Sequence, residues 1–178
     1  LFTVHDYHRM VDAGILCEGD RVELIDGEVV AMSPTGPPHC AAVDRALRAM
    51  VNTVGDRAIV RVGGSVRLNE YNEPEPDIVL LRPRDDFYKS AHPGPGDILL
   101  IVEVAESSLA FDRNTKARLY AETSVPEYWV ADVKSDCLFV YSSPRQKSYQ
   151  VLTEHHRGDV VAPQLLPDCR IDVSNLLP

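Results

Sequence analysis

Two short apolar runs constrain this chain more than anything else in it: Ile78-Val79-Leu80-Leu81, entered through Pro76-Asp77, and Ile98-Leu99-Leu100-Ile101-Val102-Glu103-Val104-Ala105. Runs this rich in Val, Ile and Leu, bounded by Pro, Gly and Asp, read as strands buried on both faces. An ionised side chain in such a strand is costly unless it is paired or bound to a metal, so Asp77 and Glu103 want a cation. Asp77 opens its strand and Glu103 stands near the end of the next. Antiparallel pairing would therefore bring both carboxylates to one end of the sheet.

The next stretch carries the opposite charge. A helix from Asp112, read as its N-cap, to Thr123 puts Lys116, Leu119, Tyr120 and Thr123 on one face by i, i+3, i+4, i+7 spacing. A lysine on the packed face either snorkels outward or meets a buried acid. Two acids and a lysine at a sheet end suit metal-dependent phosphodiester hydrolysis. Carboxylates hold Mg2+ through oxygen, the metal acidifies a water, and the lysine orients that water or stabilises developing charge.

A hairpin precedes this core: Arg21-Val-Glu-Leu-Ile25, the turn Asp26-Gly27, then Glu28-Val-Val-Ala-Met32. Asp-Gly supplies the positive φ angles of a tight turn. Alternation puts Glu28, Val30 and Met32 on one face. Glu28 then either points to the interior with its apolar neighbours or stands exposed beside the turn; Glu23 on the partner strand is the weaker candidate.

The stretches Glu23-Leu-Ile-Asp-Gly-Glu28-Val-Val-Ala-Met-Ser-Pro34, Glu75-Pro-Asp77-Ile78, Val102-Glu-Val104, Lys116-Ala-Arg-Leu-Tyr120 and Val125-Pro-Glu-Tyr-Trp-Val130 resemble the Uma2 family of restriction-endonuclease-like proteins, within the PD-(D/E)xK nuclease superfamily. The resemblance runs in order from about Tyr7 to the C-terminus. It implies Glu28, Asp77 and Glu103 as metal-site acids and Lys116 as the catalytic lysine. The superfamily lysine stands two positions after the second acid, which here is Ala105, so the resemblance requires Lys116 to reach in from the following helix. It implies an α/β fold with a mixed α+β sheet, Mg2+ or Mn2+ as cofactor with the Val104 carbonyl as an added ligand, and DNA as substrate.

With 178 residues, 44% hydrophobic and 25% charged, the chain suits one globular domain spanning residues 1–178. The central sheet is expected to use strands near Glu28, Val60, Asp77, Glu103 and Val130, flanked by helices and extended antiparallel after Trp129. No apolar run approaches the ~20 residues of a membrane helix, and Leu1-Phe-Thr-Val4 is no signal peptide, which points to the cytoplasm. The start at Leu1 rather than Met suggests missing N-terminal residues. Cys17, Cys40, Cys137 and Cys169 form no Cys-x-x-Cys pair and read as reduced, mostly buried thiols. A net charge of −9 opposes a general nucleic-acid surface and favours the rival reading, a non-catalytic nucleic-acid-binding or assembly protein. Cutting both strands of a duplex would be easiest for a homodimer.

The remaining chain supplies framework and candidates. Thr3 and Asp6 form a capping pair for a short helix ending at Gly14, whose His5 and His8 read as a solvated face. A second helix, from the Pro37-Pro38 region to about Val54, buries Ala42, Val43, Ala46, Leu47, Met50, Val51 and Val54; His39 at its start reads as a surface residue or a phosphate or metal-shell contact. Ala58–Val62 and Ser65–Leu68 read as strands broken by Gly63-Gly64. The loop from Arg82 to Gly96 carries Arg82, Arg84, Lys89, His92, Phe87 and Tyr88, a mixture suited to a nucleic-acid backbone or a dimer partner. A meander follows, with turns at Lys134–Asp136 and Ser142–Arg145. His155-His156 points to opposite faces and reads as surface.

Overall fold

In a computed structural model, which describes residues 1–17 and 19–178, Thr3 and Asp6 reciprocate as a capping box: the Asp6 amide donates to Thr3 Oγ1 at 3.1 Å and the Thr3 amide to Asp6 Oδ2 at 3.0 Å. This starts α1 (Val4–Asp12), and Gly14 follows its end at φ 70°. The hairpin β1 (Val22–Ile25) and β2 (Glu28–Ala31) closes through Asp26 and Gly27 at φ 51° and 75°, the backbone of a type I′ turn. Gly27 is required twice, because an added Cβ would also lie 2.9 Å from Leu1 Cβ. The hairpin is a sheet of its own. A backbone bridge joins Leu24 to Glu73, and no strand of the central sheet pairs with β1 or β2, so the strand at Glu28 is not part of the central sheet as the sequence suggested.

That central sheet has six strands in the order β3 (Ile59–Val62), β4 (Ile78–Leu81), β5 (Ile98–Ala105), β6 (Glu127–Asp132), β7 (Cys137–Arg145) and β8 (Ser148–His156). Only the β5–β6 pair is parallel, which makes the sheet mixed and the fold α/β. The parallel step needs a crossover. It is built from α3 (Leu109–Phe111), a π-helical turn (Asp112–Lys116) and α4 (Ala117–Glu122), joined end to end. The helix therefore begins before Asp112, which is not its N-cap: its carboxylate accepts a hydrogen bond from the Ser108 hydroxyl at 2.5 Å from inside the π turn.

Both faces of the sheet are covered, as continuous apolar strands demand. Ile78, Leu80, Val102, Val104 and Trp129 pack under α2 (Pro37–Val54) and the C-terminal segment around Ile171, Val173, Leu176 and Leu177. Val79, Leu81, Ile101, Tyr128 and Val130 pack under Leu119 and Tyr120 of α4. Each such fully buried side chain contributes roughly 1.5–3 kcal/mol. Val51 departs from the expected stripe of α2 and is exposed. Ser65–Leu68 forms no strand, although Val66 and Leu68 are buried. β7 runs through the expected turn to Arg145; beyond Ser142 it pairs with β8 alone, so Pro144 removes no ladder bond on the β6 side. The remaining pair, β9 (Val160–Val161) and β10 (Ile171–Asp172), closes the C-terminal region.

Candidate active site

Register decides which charges meet. β4 and β5 are antiparallel with Ile78 opposite Val102, so Asp77, one residue before β4, comes level with Glu103. Alternation turns Glu103 away from Val102 and Val104 toward the α4 side. There the π turn delivers Lys116, whose Nζ lies 2.9 Å from Glu103 Oε1 and 3.3 Å from Glu23 Oε2. Tyr120, one turn on, donates its hydroxyl to the same Oε1 at 3.0 Å. Glu103 Oε2 is left with one long contact, 3.4 Å from the Asp77 amide.

Asp77 is held from the other side. The Val104 amide donates to its Oδ2 at 2.8 Å, and His39 Nε2 stands 3.2 Å from its Oδ1. His39 reaches this point from the first turn of α2. Its Nδ1 lies 2.9 Å from the Val104 carbonyl, which can only accept, so Nδ1 carries the proton. Nε2 then faces Asp77 either as a second donor or as a bare lone pair. The hydrogen bond to Asp77 raises the His39 pKa despite burial, which favours the imidazolium.

Asp77, Glu103, Glu23, Lys116 and His39 line a cleft of about 270 Å³ together with Arg21, Glu75, Glu106, Ser108 and Asp112. Acids outnumber cations. Burial pushes Glu103 well above the ordinary carboxylate range; Lys116 pulls it back, while Asp77, Asp112 and Glu23 push it further up. Asp112 is raised by burial too, against Lys116 and Ser108. Burial alone would lower Lys116, yet Glu103, Glu23 and Asp112 outweigh it and hold the amine above its usual value, so it is an ammonium at any physiological pH. Arg21, Lys116 and His39 do not balance six carboxylates, those of Glu23, Glu75, Asp77, Glu103, Glu106 and Asp112. A divalent cation among oxygen donors would, and the residues present fit one.

Asp77, Glu103, Val104 and Lys116 are thus brought together, but Glu28 is not. It shares a face with Val30 and Glu23, as alternation required, yet it pairs with Ile25 at the turn end while the cleft opens at Arg21 and Met32. Two residues of strand, about 7 Å, separate it from Val30, and it is exposed. Glu23, directly opposite Val30 and 4% exposed, lines the cleft instead. The two-residue Asp-Gly loop fixes Glu23 across from Val30 and puts both acids on one face; docking of the Arg21–Met32 end at the cleft selects Glu23. His39, read from the sequence as a surface residue or a phosphate or metal-shell contact, and Asp112, read only as an N-cap, both join the site through packing.

The sequence matches the Uma2 family, described as "Putative restriction endonuclease", over residues 4–174. The chain belongs to the Uma2 family. A solved structure from Anabaena variabilis, described as a "putative nuclease belonging to DUF820", superposes with a TM-score of 0.74 at 15% identity, covering 99% of this chain and 97% of that one. That likeness gives this Uma2 chain a nuclease-type fold. No curated protein sequence matches it.

The other candidates stand away from the cleft. Arg84 is engaged within its own loop, paired with Asp86 at 2.5 Å and stacked 4.4 Å from the Tyr88 ring, and Arg82 donates to the Gly96 carbonyl at 3.0 Å. The loop leaves β4 at Leu81, the end opposite Asp77. Cys17 and Cys40 are exposed and Cys137 and Cys169 buried, so only half the thiols are interior; none of the four is in a disulfide. No helix among the described residues is long and apolar enough to cross a membrane.

Proposed function

We propose that the cleft is the active centre of a divalent-metal-dependent DNA endonuclease. The observation that carries this is the excess of buried carboxylates around Lys116 at one end of the sheet, in a chain of a restriction-endonuclease-like family. Asp77 Oδ1 and Glu103 Oε2, each with a single contact longer than 3 Å, would hold Mg2+ or Mn2+, with the second lone pair of the Val104 carbonyl as a further ligand. Such a cation supplies an acidified water and offsets charge on the scissile phosphate. Water attacks phosphorus, the bond to one sugar oxygen breaks, and the proton passes to that oxygen or to solvent.

The chain's own residues have separable tasks. Lys116 stays charged, so it donates hydrogen bonds and stabilises negative charge rather than accepting a proton. Tyr120 and Lys116 together fix Glu103 Oε1, which leaves Oε2 turned to Asp77. His39 and the Val104 amide orient Asp77. A symmetric dimer would present two such clefts to the two strands of a duplex.

Mn2+ titration by calorimetry, run beside plasmid nicking on wild type, Asp77→Asn and Glu103→Gln, tests the reading. Loss of binding and nicking in both variants is expected. Full nicking in either would overturn it. The second reading, a non-catalytic nucleic-acid-binding or assembly protein, draws on the net charge of −9 and the inward engagement of Arg82 and Arg84; Mn2+ binding with no nicking of duplex, branched or single-stranded DNA would select it.

A further inference from the structure

Three metal-ligating side chains meet outside the cleft, where α1, the segment before β4 and the long loop converge. His8 of α1 sets its Nε2 2.7 Å from Glu73 Oε1, and the His92 ring stands edge-on to that of His8 with centroids 6.3 Å apart. One donor atom from each of His8, Glu73 and His92 lies within 4.8 Å of the others. Glu73 is 2% exposed, and its backbone is fixed by hydrogen bonds with Leu24 in both directions. Its Oε2 is, among the described residues, the one buried side-chain oxygen or nitrogen with no hydrogen-bond partner. A buried carboxylate oxygen without a donor is unfavourable, and a cation is the partner that would satisfy it.

We propose that His8, Glu73 and His92 form a binding site for one zinc-class transition-metal ion. Two imidazoles and one carboxylate select such an ion over Mg2+, which prefers oxygen alone. Zinc bonds of about 2.0–2.1 Å place tetrahedral ligand atoms about 3.3 Å apart. The present spread closes by rotation of the exposed His92 ring, which sits on a loop. Three protein ligands leave the fourth position to water. Arg67 and Lys89 border the same hollow, and among the described residues Glu73 is the only acid lining it. The ion would fasten the long loop, through His92, to α1 and the segment before β4, which now meet each other through His8 and Glu73.

Co2+, whose visible absorption reports imidazole coordination in a tetrahedral field, is the probe for the full chain. Wild type, His8→Ala, His92→Ala and Asp77→Asn are compared, each checked for native circular dichroism; both histidines are exposed, and their replacement spares the core. One equivalent of Co2+ gives the tetrahedral band in wild type and in Asp77→Asn, and the band is lost in His8→Ala and His92→Ala. One equivalent of Zn2+ bleaches it and raises Tm by several degrees in the first two proteins only. Absence of the band in wild type, or its survival in folded His92→Ala, overturns the proposal. A band lost only in Asp77→Asn would assign the ion to the cleft and overturn it equally.

Discussion

Neighbouring strands of the central sheet each bury a glutamate, and the two are held in opposite ways. Glu103 on β5 is 4% exposed and Glu127 on β6 is 3% exposed. Glu127 meets neutral donors: Trp129 Nε1 at 2.7 Å and the Gln164 amide at 2.5 Å, one for each oxygen. Glu103 meets an ammonium, a phenol and three further carboxylates. Burial raises the pKa of both, so burial by itself marks neither as functional. What differs is the company. Glu127 is complete within the fold, whereas the acids around Glu103 leave negative charge that Lys116 alone does not offset.

The sharpest way to break this comparison is Lys116→Met, measured by urea unfolding in chelator. Removing one partner of a buried pair costs roughly 3–5 kcal/mol. Without the ammonium Glu103 binds its proton more tightly in the fold, so the loss is expected to be small at acid pH and to deepen as pH rises. Equal stability of variant and wild type at pH 8 would show that the ionic network does not hold Glu103.

Glu127→Gln should act in the other sense. Because burial raises Glu127 above its ordinary value of 4.5, the fold favours its protonated form, and its stabilising contribution is lost as pH rises through the folded pKa. The amide cannot titrate. It resembles the protonated acid, with one acceptor replaced by a donor that faces Trp129 or Gln164, a change of about 1 kcal/mol. Wild type is therefore expected to lose stability relative to the variant from acid to neutral pH in thermal melts; a difference that grows the other way would refute the sign. Metal binding and nicking should be untouched, since Glu127 lies outside the cleft.

The smallest effect belongs to Glu28→Gln. An exposed acid at the turn end should alter stability by no more than about 0.5 kcal/mol and leave nicking unchanged, whereas Glu23→Gln should weaken the Lys116 pair and lower nicking. The two substitutions in parallel plasmid assays distinguish them; a defect in Glu28→Gln would put that residue back among the working acids.

Local rules carried much of this protein. The capping box at Thr3 and Asp6, the Asp-Gly turn, and the apolar runs at β4 and β5 are written in contiguous residues, because each depends on neighbours a few positions away. The placement of Asp77 beside Glu103 followed from strand order and direction, and the helical face placed Lys116 with Tyr120. What packing decided has long separations in common. Val104 and His39 meet across 65 positions, as do His8 and Glu73. The choice of Glu23 over Glu28 depended on which end of the hairpin docks at the cleft, and the hairpin stands as a sheet of its own because its strands pair only with each other. Sequence periodicity specifies the face on which a side chain stands. Only the docking of one element on another specifies which charge is near enough to answer it.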